Sequence, residues 1–389
     1  MISFDNTEIA FKYKSNKDLK RAHFLFKLVG KNGLVRFGKS MVPIAFKLHL
    51  PIKGLIKNTI FRQFCGGETI DECDATIATL FNYNVGTILD YSVEGQTDED
   101  SFDATKEEIL RTIQKAKGNK AIPFAVFKPT GLARFELLEK INDVDASLSF
   151  EEKQEFSRVF SRIEEICNYA HENSVPILID AEHSWIQDAV DRIVESMMAK
   201  FNKEKCIIYN TFQMYRHDRL QYLKECIEKA KREGYKVGAK VVRGAYMEIE
   251  RERAAEMNYA SPIQPDKKTT DEDFNAAITL LIEEIEHTAI CCGTHNEESS
   301  NLFASLIEKH QLPKKDNRLY FAQLLGMSDH ISFNIAHHGY NVAKYVPYGS
   351  VKEVMPYLLR RAEENTSVAG QTGRELSLIS KELKRRKSK

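Results

Sequence analysis

The sequence predicts an α/β fold, a (βα)8 TIM-type barrel with an N-terminal helical arm, on three observations. After residue 80, eight short apolar or β-branched runs recur, and most are followed by a longer stretch with helical spacing, the pattern of repeated βα units. Eight such units within about 300 residues is what a closed barrel requires. The alternative, a doubly wound sheet, ordinarily carries a Gly-rich turn after its first strand. Neither GxGxxG nor a GxxxxGK turn followed by Ser or Thr occurs.

Taken in order, residues 1–80 read as the helical arm, broken into pieces by Pro43, Pro51 and several glycines. The barrel domain is expected over 81–389. Its strands are predicted at 87–91, 123–127, 176–180, 206–211, 236–242, 289–294, 318–323 and 341–346, where Val, Ile, Thr, Phe and Tyr gather in runs too short for helices. Helices are predicted between them, among others at 150–172, 185–202, 218–233, 271–287 and 299–310. The acidic stretch within 92–120 is expected to be an exposed loop running into a helix. No internal repeat or long low-complexity tract interrupts the alternation.

Composition excludes several classes. With 389 residues, 42% hydrophobic and 29% charged, the chain can bury one large core or two ordinary ones, so disorder is not its main state. No run approaches the roughly 18–20 apolar residues that cross a bilayer as a helix. Seven cysteines form no CxxC pair and are odd in number, which points to a reducing compartment. The first thirty residues carry Asp5, Glu8 and Asp18 and no compact apolar segment before a small-residue cleavage site, so a cytoplasmic address is expected. Net charge is zero, but the ends are basic. Residues 12–62 hold thirteen Lys or Arg against Asp18 alone, and residues 381–389 hold six against Glu382. Such segments either lie on an anionic membrane surface or form solvated helix faces on a core. No nucleic-acid motif accompanies the charge.

Barrel enzymes carry their chemistry at the C-terminal ends of the strands. Those ends read Asp90 in LDYSVEG, Lys128 in VFKPTGL, Asp180 in LIDAEH, Gln213 in TFQMYRHD, Lys240 and Arg243 in KVVRGAY, His295 in THNEES, Leu324 in QLLGM and Tyr345 in YVPYG. Polar or charged groups dominate, although arbitrary strand ends are often polar too. The last predicted helix adds PYLLRRAEEN, which sets Tyr357, Arg360, Arg361 and Glu364 at i, i+3, i+4 and i+7, along one broad face. Paired guanidiniums suit a carboxylate because their planar forks engage both oxygens. The same spacing also serves an exposed helix with i, i+4 ion pairs.

Lys128 is a Schiff-base nucleophile in a flavin-free barrel lyase if desolvated, or an ordinary ion-pair partner. His337 and His338, being adjacent, do not converge on one metal and read as a helix C-terminal turn with Gly339. Asp180, Glu182 and His183 have the composition of a metal site, but side chains alternate across a strand. No metal is assigned. Cys291 and Cys292 lie inside a predicted strand as packing thiols.

With these residues in view, the chain from FCGGET at Phe64 to its end resembles the proline dehydrogenases. The resemblance is carried by ILDYSVEG, FKPTGL, IDAE, KVVRGAYMEIERERA, GTHN, QLLGM, YVPYG and PYLLRRAEEN, in that order. It implies a distorted barrel whose eighth helix sits over a flavin, FAD. It also implies that Arg360 and Arg361 bind the proline carboxylate with Glu364 supporting them, that Tyr345 and Tyr357 wall the pyrrolidine ring, and that Leu324 packs on it. Lys128 would lie near the reaction centre, and Asp180 would help close the site with one of the arginines. Gln213, Lys240, Arg243, Gly244, Ala245, Thr294, His295 and Asn296 match flavin-contact positions. Many bacterial members have Arg where this chain has Lys240 and Lys where it has Arg243. In this the chain is similar to the eukaryotic-type branch.

The implied reaction is oxidation of L-proline to 1-pyrroline-5-carboxylate by hydride transfer to FAD, with a membrane quinone taking the electrons. The protein's contribution is orientation. The quinone gives the basic ends a use, as peripheral contacts at the inner membrane. Hydroxyproline oxidation is the near alternative. In relatives that prefer it, the position matching Tyr345 is small, so the Tyr here favours proline.

Overall fold

The structure is a computed structural model that describes residues 1–29, 52–92, 96–367 and 371–388. The β-branched and aromatic runs form eight strands: β1 (Val85–Tyr91), β2 (Phe124–Phe127), β3 (Ile177–Ile179), β4 (Ile208–Gln213), β5 (Val237–Val242), β6 (Thr288–Gly293), β7 (Leu319–Leu324) and β8 (Val342–Tyr348). They make the expected closed barrel in chain order. Its ladders are parallel, for example Tyr209↔Gly238 through Gln213↔Val242 between β4 and β5. β1 and β8 pair from Val85↔Val342 to Tyr91↔Tyr348. β2, β3, β4 and β8 are buried along their whole length, which is why these strands read as apolar runs rather than as alternating patterns.

Helices α1 (Thr7–Phe11), α2 (Asn16–Val29) and α3 (Asp74–Phe81) precede β1. Between strands lie α4 (Glu99–Ala116), α5 (Phe135–Asn142), α6 (Phe150–Glu172), α7 (Ser184–Phe201), α8 (Arg219–Glu233), α9 (Met247–Glu256), α10 (Lys267–Glu283), α11 (Glu297–Lys309) and α12 (Asp329–His337). Helices α13 (Met355–Ser367) and α14 (Gln371–Lys387) follow β8. Helix starts follow local chemistry. Ser149 and Glu152 form a reciprocal capping box on α6, and Asp98, Asp266 and Asn296 cap α4, α10 and α11. The His337–His338 segment is a helix end, with Gly339 at φ +89°. No described helix is long and apolar enough to cross a membrane.

Strand ends depart from the sequence reading. β4 starts and stops two residues later than expected, which places Gln213 on the strand rather than beyond it, and β8 runs on to Tyr348, so Tyr345 sits mid-strand. Parallel pairing to a neighbour decides where a ladder stops, and hydrophobicity carries no mark of that limit.

The chain groups into two compact units, Gly95–Ala322 (together with Met1) and Ile2–Glu94 with Gln323–Lys389. In the second unit, α1, α2 and α14 share an apolar core of Phe11, Leu19, Phe26, Leu378 and Ile379. Much of the described basic charge at the ends is spent inside this unit. Lys14 pairs with Asp329 at 2.8 Å, Arg374 with Asp5 at 2.9 Å, and Arg385 and Arg386 with Glu382 at 2.8 and 2.7 Å. Pro43 and the rest of 30–51 lie outside the described residues.

Candidate active site

In the Gly95–Ala322 unit, most of the predicted residues cluster around the ends of β3, β4, β5 and β6. Lys240 on β5 meets Asp180, just past β3, at 2.5 Å, with side chains only 7% and 14% exposed. Local spacing carries no mark of this ion pair, whose members lie 60 positions apart in sequence. Asp180 is also tied down by its own N–H, which donates to Phe127 O at 2.9 Å. Lys128 is half-buried where β2 leaves the sheet and opens the short turn Pro129–Gly131.

Asp180, Glu182 and His183 engage different partners. Glu182 accepts from the N–H and the hydroxyl of Thr130 at 3.1 and 2.7 Å, and His183 stacks on Trp185 with ring centroids 4.4 Å apart. Among the described residues no group of three or more His, Cys, Asp or Glu gathers to hold a metal ion. Cys291 and Cys292 are fully buried in β6, and burial pushes the Cys291 thiol up to about 12.

Arg243, just past β5, is fixed by three groups. Its Nε donates to Asp271 at 2.6 Å, and its two terminal nitrogens donate to Thr294 Oγ1 at 2.7 Å and Ser299 Oγ at 2.9 Å, with the guanidinium over the Phe274 ring. Burial acts to raise the Asp271 carboxyl, but donation from Lys267 and Arg243 outweighs it and holds the group below its usual range. Sequence reading passed over Asp271 and Ser299, which stand 28 and 56 positions from Arg243. Thr294 also accepts from the Asn296 N–H at 3.1 Å, while the Asn296 side chain caps α11 through Ser299 N–H at 2.9 Å. His295 is half-buried between them.

Gln213 Nε2 donates to the Glu182 carbonyl at 2.8 Å, and its Oε1 is buried with no hydrogen-bond partner among the described residues. Gly244 and Ala245 are exposed. Gly244 adopts φ +140°, and a Cβ there would fall 2.5 Å from the Tyr215 ring, so only glycine fits this bend. An orphaned buried acceptor, an open glycine backbone and the loop of Thr294, His295 and Asn296 that leads into the N-terminus of α11 suit a large polar cofactor with hydrogen-bonding and anionic parts.

The remaining predicted residues belong to the second unit. Tyr357 is 5% exposed and packs into an apolar cluster with Phe61, Phe64, Met327 and Leu358, against which Leu324 also rests. Arg361 is buried at 7% exposure, with its guanidinium 5.2 Å from the centroid of the Tyr357 ring one turn away. Arg360 is half-buried. The i, i+4 face of α13 is thus turned inward, which excludes a fully solvated helix for this stretch. Glu364 lies on α13, but its side chain is outside the described residues. Tyr345 is 7% exposed on β8, and its carbonyl accepts from the Leu325 N–H at 2.8 Å, which ties the QLLGM turn to β8.

The comparisons with known proteins converge. The profile of the family described as proline dehydrogenase matches residues 73–374. Proline dehydrogenase 1, mitochondrial, of Dictyostelium discoideum is 33% identical over 96% of this chain and 73% of that protein. The carbapenem antibiotics biosynthesis protein CarD of Pectobacterium carotovorum is 35% identical over 86% of each chain. Human proline dehydrogenase 1, mitochondrial, is 42% identical over 61% of this chain and 40% of that protein. Among solved structures, proline utilization A from Bdellovibrio bacteriovorus inactivated by N-propargylglycine superposes with a TM-score of 0.72 at 20% identity, over 93% of this chain and 38% of that one, a likeness of fold. With three-quarters of its length inside the family profile and a 33% identical relative aligned over 96% of it, the chain belongs to the proline dehydrogenase family of enzymes.

Proposed function

We propose that this enzyme oxidises L-proline to 1-pyrroline-5-carboxylate with FAD as its resident acceptor and a membrane quinone as the final one. The observation that carries the reading is the inward face of α13, where buried Arg361 lies over buried Tyr357 beside Arg360. A buried guanidinium with a half-buried one beside it and an aromatic neighbour offers the planar donor forks that suit a carboxylate.

In this reading Arg360 and Arg361 bind the substrate carboxylate, with Glu364 supporting them. Tyr345, Tyr357 and Leu324 confine the ring so that C5 keeps one orientation. Proline loses a hydride from C5 and the proton from its ring nitrogen, and the C5–N double bond forms. FAD, when bound, supplies the two-electron acceptor that the side chains of this chain lack. Gln213, Lys240, Arg243, Gly244, Ala245, Thr294, His295 and Asn296 would hold it. The Lys240–Asp180 pair keeps the Lys240 ammonium in one place, and Lys128 completes the polar lining.

Reduction of the bound flavin by proline, followed by its visible absorption, tests the reading. Arg360→Met and Arg361→Met should each lower kcat/KM for proline by about 30-fold or more, the cost of stripping one partner from a desolvated charge pair, while flavin stays bound. Near-normal kcat/KM in both variants would remove the carboxylate clamp.

Quinone access is proposed through an exposed face of α2. Lys17, Lys20, Phe24 and Lys27 fall at i, i+3, i+7 and i+10, all exposed, with Phe24 at 57%. Three cations around a protruding aromatic suit an anionic lipid surface. Replacing the three lysines with Glu should abolish co-sedimentation with vesicles containing phosphatidylglycerol, and undiminished co-sedimentation would remove this role.

A further inference from the structure

The turn that follows β7, residues 324–327, is gripped from two sides by groups outside the site described above. Lys344 on β8 is fully buried, and its ammonium donates to the carbonyls of Leu324 at 3.2 Å and Met327 at 2.5 Å while pairing with Asp329 at 3.0 Å. A buried ammonium is costly unless its protons are met, and two carbonyls and a carboxylate meet them here. Asp329 is itself held by Lys14 and by the Tyr13 hydroxyl, both at 2.8 Å.

On the other side Gln63, 5% exposed, donates from Nε2 to the Gly326 carbonyl at 2.9 Å. Gly326 adopts φ +78°, and a Cβ there would lie 2.1 Å from the Gln63 carbonyl oxygen, so the two segments approach as closely as only glycine permits. Lys344 and Tyr345 are consecutive on β8 and so point to opposite sides of the strand. The ammonium therefore braces the turn that carries Leu324 from behind, while the Tyr345 ring stands on the other face and the Tyr345 carbonyl holds the Leu325 N–H.

We propose that Lys344 and Gln63 are positioning residues for proline oxidation: together they clamp the 324–327 turn and so fix the Leu324 side chain where it rests on the cluster that holds Tyr357, setting how tightly the substrate ring is confined. The proposal rests on the substrate reading of Leu324 and Tyr357. A clamp of this kind acts on substrate fit and leaves electron transfer, once the ring is in place, nearly unchanged.

Steady-state kinetics on the full-length flavoprotein test it, with Leu324→Ala, Gln63→Leu, Lys344→Met and each clamp variant combined with Leu324→Ala. Each clamp variant alone should raise KM for proline about 5-fold or more, with kcat within about 3-fold of wild type and unaltered flavin absorption. In the Leu324→Ala background the same substitutions should raise KM by less than about 2-fold, because the side chain they position is already gone. Equal KM increases in both backgrounds, or an unchanged KM in the single variants, overturn the clamp. If Leu324→Ala alone leaves KM unchanged, the substrate reading of this turn fails and the clamp falls with it, a result distinct from clamp failure alone. Should Lys344→Met not fold, Gln63→Leu, which exchanges one neutral side chain for another, decides the matter by itself.

Discussion

Replacing Asp180 with Asn, Lys240 with Met, and both together, measures what the ion pair at the head of β3 and β5 contributes. The charged atoms are 2.5 Å apart and both side chains are largely buried. Unit charges at that distance attract by about 6–7 kcal/mol at an effective dielectric of about 20. Withdrawing both ions from water takes back several kcal/mol of this. The net coupling is therefore expected at about 2–4 kcal/mol, in the range found for close, desolvated charge pairs. Urea unfolding of wild type, the two single variants and the double variant gives the coupling directly, and it does so whatever other partners each residue has. Flavin content of the purified proteins gives the functional side, since Lys240 held in place is the proposed cofactor contact. The single variants should lose more stability and more flavin than the double variant explains by addition. Additivity within about 0.5 kcal/mol would refute the claim that this pair positions Lys240.

Three further outcomes are expected. Tyr345→Ser should raise the ratio of hydroxyproline to proline turnover by making room beside the ring, and an unchanged ratio would discard the steric argument. Gly244→Ala should destabilise the protein by about 1–3 kcal/mol in urea unfolding, because the new Cβ meets the Tyr215 ring at an already positive φ; an unmoved midpoint would count against it. Burial acts to raise both Asp218 and Glu382, but donation from Arg219 and Arg216 to the first and from Arg385 and Arg386 to the second outweighs it and holds each at about 2. A carboxyl whose folded pKa lies below its unfolded value stabilises fully above the unfolded pKa and loses that contribution as pH falls towards the folded one. The melting temperature should therefore drop between about pH 4.5 and pH 2, less so in Glu382→Gln, and a flat profile in wild type would contradict the assignment.

Burial of Arg361 and Tyr357 on α13 illustrates where linear reading stops. Their spacing placed them on one face, but a face of two Arg, a Tyr and a Glu is as consistent with solvent as with a core. The deciding fact is the apolar cluster of Phe61, Phe64, Met327 and Leu358 beneath Tyr357, drawn from segments far apart in the chain. The basic ends were equally ambiguous. Lys14 and Arg374 tie the segments flanking α1 to α12 and α14, and Arg385 and Arg386 reach from α14 to Glu8 and the Phe11 carbonyl of α1, whereas Lys17, Lys20 and Lys27 on α2 remain exposed.

From the sequence alone, the alternation of short β-branched runs with helical periods determined a closed barrel, and its motifs in series determined the family. Both follow from short-range rules, because a strand or helix declares itself through neighbours within a few residues. Only the tertiary structure decided that Lys240 faces Asp180, that Arg243 is gripped by Asp271 and Ser299, and that Lys344 lies buried beneath the QLLGM turn. Such pairings join residues tens of positions apart, and the energy that selects them comes from desolvation and packing at a meeting point that exists only once the barrel has closed.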